Sequence, residues 1–508
     1  MASAFLPTSK KEVEALGWDG IDVILFTGDA YVDHPSFGAA VIARVLEAKG
    51  FRVAVVPQPN WRDDLRDFRK LGRPRLFFGV TAGAMDSMVN HYTAAKRLRS
   101  DDAYTPEGRA GARPDRATLV YTRILKQLWP DVPVVIGGIE ASLRRFRHYD
   151  YWDDVMKPPI LEESGADFLI AGMGEKPVVR IAEALRDGRG GELPKIVSAG
   201  PLTTEELDWV YDLPYTRLPH PRYKGKRIPA YDMIKFSITT HRGCFGGCNF
   251  CAIAAHQGKT IQSRSEASIL REVEALTRHP EFKGTISDLG APSANMYRMG
   301  GRDRSLCARC VRPSCLFPAR CRNLGHDHTP LLELYAKVLR VPGVRHVFVS
   351  SGIRYDLFLD ENGFLSDDGR RYFEQLVTRH TSGRLKVAPE HTEDHVLQAM
   401  GKPSFRLFER LEQEFRRLTR EKGLRYEIVP YFISAHPGCT MADMEALSKR
   451  PSLRGIRTEQ VQDFTPTPMT VSTEMFHSGR DPVTGKKLYV ERDIARKQRQ
   501  KSFFFKKR

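Results

Sequence analysis

The sequence predicts an α/β chain built from two parallel sheets in succession. Three observations carry this. Apolar, β-branched runs alternate with helix-period segments over residues 21–186, and the alternation resumes over 234–465. A stretch containing four prolines and no periodicity separates the two series. Seven of the eight cysteines fall between Cys244 and Cys321, near the start of the second series. Continuous apolar strands joined by helices are the signature of a parallel sheet covered on both faces.

In the first series IDVILFTG (21–28) runs through a Gly-containing turn into SFGAAVIARVLEAK (36–49), whose helical spacing stops at Gly50. FRVAVVPQ (51–58), RLFFGVTAG (75–83), VPVVIGGIEAS (132–142) and ADFLIAGMGE (166–175) follow, the later ones each leading into a helical segment. This pattern fits a flavodoxin-like doubly wound domain over residues 1–211, interrupted by a polar, exposed insertion at 99–116. Residues 212–230, with DLPYTRLPHPRYKGKRIP, read as a Pro-rich linker. The second series, over 231–480, contains IKFSI (234–238), TISDL (285–289), HVFVS (346–350), LKVAP (385–389), EIVPYFI (427–433) and VQDFT (461–465). Six βα units suggest a partial (β/α)6 barrel, with active residues at the C-terminal strand ends. A Cys-rich insertion occupies 302–328, and 481–508 reads as a basic tail without a packing pattern, either frayed or helical.

Composition narrows the class. Of 508 residues, 41% are apolar and 28% charged, which is a globular rather than a disordered balance. No run approaches the ~18 to 20 apolar residues of a membrane span, and MASAFLPTSKKEVEALG lacks an export signal, so a cytoplasmic protein is expected. The net charge is +17, but residues 486–508 hold ten Lys/Arg against two acidic residues, a net +8. About half of the charge thus sits in the tail, and composition alone does not make the chain a nucleic-acid binder.

The chemistry concentrates in HRGCFGGCNFCAI (241–253), where Cys244, Cys248 and Cys251 form a C-x3-C-x2-C loop. Gly243, Gly246 and Gly247 let the backbone wrap tightly, and three thiolates can hold three corners of a cube-shaped cluster. Such clusters usually take four thiolates, so one iron is left for a ligand that is not protein. The alternative is a zinc loop completed by His241 or His256. A second group, CARCVRPSCLFPARC (307–321), places Cys307, Cys310, Cys315 and Cys321 in C-x2-C-x4-C-x5-C spacing. Four thiolates with no open position suit structural zinc or an auxiliary [4Fe–4S] cluster equally well. The surrounding arginines favour the thiolate form, while unmetallated thiols partly in the core are the remaining reading. Cys439, after Pro-Gly, is either a catalytic thiol or a small buried residue in a tight turn.

With these residues in place the sequence resembles the radical S-adenosylmethionine (SAM) superfamily, whose signature is this three-cysteine spacing with an aromatic residue, here Phe250, before the last cysteine. The resemblance implies a [4Fe–4S] cluster whose open iron is chelated by SAM, and one-electron cleavage of SAM to methionine and a 5′-deoxyadenosyl radical. It extends to the other strand ends. SDLGAPSAN (287–295), with Asp288 and Gly290, lies where the superfamily places a turn touching SAM's methionine moiety. SSGIRYD (350–356), with Ser351 and Arg354, resembles another strand end of related enzymes, and Glu390 in VAPEHTEDHVLQAMGK (387–402) falls where a polar residue near SAM's ribose is common. ISAHPGCTMADM (433–444) and DFTPTPMT (463–470) resemble the last two strand ends. The arrangement over roughly residues 20–500 is similar to the YgiQ-like radical SAM family, which has no assigned reaction.

The resemblance implies a reducing electron-transfer protein as partner and leaves the substrate open, with methyl or methylthio transfer to RNA or protein as one analogy. Related proteins pair such a barrel with a cobalamin domain whose ligand histidine lies in D-x-H-x-x-G. Here the turn reads Asp33-His34-Pro35-Ser36-Phe37-Gly38, with no residue between Asp and His, so cobalamin is not expected. The basic tail, with Phe503 to Phe505, could grip RNA phosphates and stack on bases, or be a solvated or packed segment. The rival from another class is a non-enzymatic zinc protein that binds nucleic acid through 307–321 and the tail.

Overall fold

The computed structural model describes residues 5–456 and 460–504. The chain divides into two compact units. One comprises the chain up to Pro201 with Trp209–Lys235 and Thr467–Met469; the other holds Leu202–Asp208, Phe236–Pro466 and the remainder.

The first unit is a six-stranded parallel sheet. Its strands are β1 (Val23–Thr27), β2 (Val53–Pro57), β3 (Phe77–Thr81), β4 (Val134–Gly137), β5 (Phe168–Ile170) and β6 (Ile196–Val197), in the spatial order β2-β1-β3-β4-β5-β6. Every residue of β1 and β2 is buried, as a strand covered on both faces requires. Ile24 and Phe26 enter one core with Tyr121 and Leu125 of helix α1 (Ala117–Leu128). The order 2-1-3-4-5 places a reversal beside β1, where open α/β sheets carry ligands outside the carboxyl strand ends.

That edge is filled by protein. Arg113, fully buried, sets Nη2 2.8 Å from Asp29 Oδ1 and Nε 3.0 Å from Asp102 Oδ2, and its Nη1 donates to Ala82 O at 2.7 Å. The 99–116 insertion is therefore not simply exposed, because two of its charged residues close the end of the sheet. The Pro-rich 212–230 segment also packs on this unit. Leu218–Pro219 pairs antiparallel with Val32–Asp33, and Tyr31 N–H donates to Tyr223 Oη at 3.1 Å. Asp33 organises the contact, taking both Arg44 Nε (3.0 Å) and Thr216 N–H (2.8 Å).

The second unit threads six strand positions, all parallel and in chain order. β7 (Ser237–Thr239) pairs with β9 (Asp288–Gly290), and β8 (Thr285–Ile286), just before β9, pairs with β10 (His346–Val347). A parallel bridge from Ile353 to Val387 carries the array to β11 (Arg384–Glu390), which pairs with β12 (Glu427–Ser434) and then β13 (Gln460–Asp463). Ile238, Leu289, Val347, Val387, Phe432 and Val461 from these strands share one core with the intervening helices.

The basic tail, expected to lack a packing pattern, docks on this unit as helix α2 (Ile494–Ser502). Lys497 and Gln500 are buried in it, and Gln500 Oε1 accepts from Ala435 N–H at 2.9 Å. Phe504 stacks on Phe432 at 6.2 Å between ring centroids; Phe505 to Arg508 lie outside the described residues. Among the described residues no helix is long and apolar enough to cross a membrane.

Replacing Arg113 by Ala would strand two buried carboxylates without their cation, a change expected to cost about 3–5 kcal/mol. Urea unfolding of the variant should show a clearly lowered midpoint; an unchanged midpoint would mean the triad contributes nothing.

Candidate metal centre

A few residues beyond β7 the chain turns through the three-cysteine loop, and glycine makes that turn possible. Gly243 adopts φ +88°, and a Cβ there would lie 2.2 Å from Thr260 O. Gly247 adopts φ +61° with no room for a side chain against Pro313 and Ser314. The far side of the loop is anchored by Asn249, whose N–H donates to Met400 O and whose Nδ2 donates to Ala399 O, both at 2.9 Å. Cys251 N–H closes on Cys248 O at 3.1 Å. Phe250 meets His436 edge-on at 6.3 Å.

Side chains from the next strand ends reach two of the three sulfurs. Arg354 Nη1 donates to Cys248 Sγ at 3.1 Å, and Ser293 Oγ lies 3.5 Å from Cys244 Sγ. Burial, then the neighbouring Cys248 and Cys244, push the Cys251 thiol up to about 12. Among the described residues no group of three or more Cys, His, Asp or Glu side chains is drawn together as a metal site. His241 is also committed. Its Nδ1 pairs with Thr240 Oγ1 at 2.9 Å and its Nε2 with Ser293 O at 3.1 Å, while burial holds its pKa near 3. It is not placed to complete a zinc site. His256 lies on the short helix Ile253–Gln257 that follows the loop.

The residues expected to touch SAM divide into two groups. Asp288 is consumed in holding strand ends together, since Oδ1 accepts from Ser350 N–H (2.8 Å) and Ser351 N–H (3.1 Å) and Oδ2 from the Ser351 hydroxyl. Gly290 faces that pair, and a Cβ on it would approach Ser351 Oγ to 2.7 Å. Arg354 and Glu390 instead belong to a buried charged group beside the thiols. Asp356 grips Arg354 in a fork at 2.9 and 2.6 Å; burial opposes its charge, but Arg354 holds it below the usual carboxylate range. Glu390 ends β11 in a left-handed conformation (φ +70°), buried, with Lys402 Nζ 3.8 Å away, and burial raises its pKa. Asp356, Lys402 and Ser293 were not singled out by sequence, where only their nearness to motif residues could have flagged them.

Cys439 lies apart, fully buried. Its Sγ is 3.5 Å from His391 Nε2 and 3.6 Å from Gln500 Oε1, and burial raises its pKa so that it stays a neutral thiol. His34 is buried in the first unit, and its Nδ1 accepts from Ser36 N–H at 3.1 Å.

Comparison with known proteins follows this geometry. A family model described as "Radical SAM N-terminal" matches residues 5–200 and 193–237, and one for a domain of unknown function, DUF3362, matches 459–506. A "UPF0313 protein" from Bacteroides thetaiotaomicron is 51% identical, covering 99% of this chain and 94% of its own. One from Methanocella arvoryzae is 46% identical, covering 96% and 90%. A solved structure of the radical SAM methyltransferase TsrM from Kitasatospora setae, with cobalamin and a [4Fe–4S] cluster bound, resembles the fold with TM-score 0.55 at 18% identity over 91% of this chain and 76% of that one.

Gly243→Ala should force the loop off Thr260. The expected result is a folded protein that takes up less than half the wild-type iron on anaerobic reconstitution, read by iron analysis beside circular dichroism.

Proposed function

The chain belongs to the UPF0313 family, a family of radical SAM proteins, and on that premise we propose an enzyme that cleaves SAM reductively at a [4Fe–4S] cluster held by Cys244, Cys248 and Cys251. The observation that carries this reading is a three-thiol loop at the head of a parallel strand array, with Arg354 and Ser293 from later strand ends on two of its sulfurs. A [4Fe–4S] cluster with SAM on its open iron supplies the one-electron cleavage that starts hydrogen abstraction from a substrate.

The chain's own residues prepare the place. The three cysteines hold three irons and leave the fourth to SAM. Arg354 offsets thiolate charge at Cys248, and Asp356 fixes its guanidinium so that the N–H···S bond keeps its direction. Hydrogen bonds to the sulfurs are one of the terms that set a cluster's potential. Gly290 offers bare backbone to the methionine moiety, with Asp288 and Ser351 as positioning residues behind it. Glu390, supported by Lys402, serves the ribose hydroxyls.

In fold terms this is a flavodoxin-like domain followed by a partial (β/α)6 barrel whose strand ends surround the cluster. Thiols so crowded need a reducing compartment, so the reading places the enzyme in the cytosol with a low-potential electron-transfer protein as donor.

Purified without oxygen, the protein should be brown and release 5′-deoxyadenosine from SAM when reduced with dithionite. The Cys244→Ala/Cys248→Ala/Cys251→Ala variant should lose that release by at least 100-fold. Cleavage that survives in the triple variant would sink the assignment.

A further inference from the structure

The insertion between β9 and β10 gathers the other four clustered cysteines. A short antiparallel ladder, Gly300–Gly301 against Leu324–Gly325, closes its base. Cys310 N–H donates to Cys307 O at 3.1 Å and Cys321 N–H to Cys315 O at 2.8 Å, so each pair is drawn together by a backbone hydrogen bond. Leu324 N–H then donates to Cys321 O at 3.0 Å, tying the second pair to the ladder. Gly301 is required there, because a Cβ on it would sit 2.1 Å from Cys307 Sγ. Two nitrogen donors point at sulfur: Asn323 Nδ2 lies 3.4 Å from Cys307 Sγ, and Lys259 Nζ lies 3.9 Å from Cys310 Sγ. Lys259 Nζ also donates to Arg312 O at 2.7 Å, which ties the first pair to the stretch leading into Cys315.

The nearby histidines are engaged elsewhere, His328 Nδ1 with Asp368 at 2.9 Å and His326 Nε2 with Arg320 at 3.2 Å, so an occupant would be held by thiolates alone, as a [4Fe–4S] cluster and structural zinc both are. Position favours the cluster: the insertion packs on the three-thiol loop, where an electron carrier has a neighbour to serve.

We propose that Cys307, Cys310, Cys315 and Cys321 ligate a second [4Fe–4S] cluster, with every iron closed by a protein thiolate. Such a site has no position for SAM, so its chemistry is the uptake and release of an electron. The insertion is pinned to the three-thiol loop by Cys315 N–H on Phe245 O (3.0 Å) and Ser314 Oγ on Gly246 O (2.7 Å). Phe245, Leu316 and Leu324 form an apolar wall shared with Cys244, Cys315 and Cys321. The choice of a cluster here rests on the cluster proposed for that loop, and metal analysis of each cysteine group by itself keeps the two readings apart.

Iron, sulfide and zinc analysis of the full chain, reconstituted anaerobically, tests it. Wild type should bind roughly 8 irons, and variants with either cysteine group replaced by Ala about 4 each, as two [4Fe–4S] clusters require. The variant lacking Cys244, Cys248 and Cys251 leaves the insertion intact, so its remaining iron, with the Mössbauer spectrum of a [4Fe–4S] centre, reports the second site even if the quadruple variant fails to fold. Zinc, or no metal, in that triple variant would overturn the proposal. Iron kept by the triple variant but absent from a folded quadruple variant would instead put the first-loop reading in error.

Discussion

Negative charge in a small space governs this molecule's second unit. Three sulfurs within eight residues repel one another once ionised, and partial burial removes the water that would screen them. The structure answers from two strand ends. Ser293 follows β9 and Arg354 follows β10, and each meets one sulfur. Because the two are fixed to different strands, the parallel array is what gives these thiols their partners. The network is also self-limiting. Arg354 bonded to sulfur would leave a buried cation unbalanced without Asp356, and Asp356 would be costly to bury without Arg354.

Much of this was legible in the sequence because the signals were local. The cysteine spacing, the glycines around it and the apolar strand runs each span fewer than about ten residues, and periodicity reads such segments well. Most of the expected strands are observed, but Ile196–Val197 was too short to read and Ile234 belongs to the helix before β7. Partners were harder to read, because they lie far along the chain. The Arg354 guanidinium bonds Cys248, 106 residues away in sequence, and the Asp288 carboxylate accepts from backbone and hydroxyl donors 62 and 63 residues on.

Polarity misled elsewhere for a related reason. The 99–116 insertion and the basic tail look solvated because they are charged. Arg113 is neutralised by two aspartates, and Lys497 covers the Phe476 ring at 4.7 Å while Gln500 bonds the backbone of Ala435. Residues 212–230 look like a linker because prolines hide periodicity, although a two-residue ladder suffices to seat them on Val32–Asp33. In each case the compensating partner is distant in sequence, and a reading of local windows cannot supply it.

The docked terminus has a consequence for the chain's solubility. β13 pairs with β12 along Tyr431–Ser434, and α2 packs beside it. Lost by proteolysis or an early stop, this last segment would leave unpaired the backbone of a strand carrying Tyr431, Phe432 and Ile433. Exposed apolar edges of that kind recruit strands from other chains. The stretch from β13 through α2 would thus guard against self-association as well as complete a fold, and a chain truncated before it would be drawn toward aggregates before its chemistry could be measured.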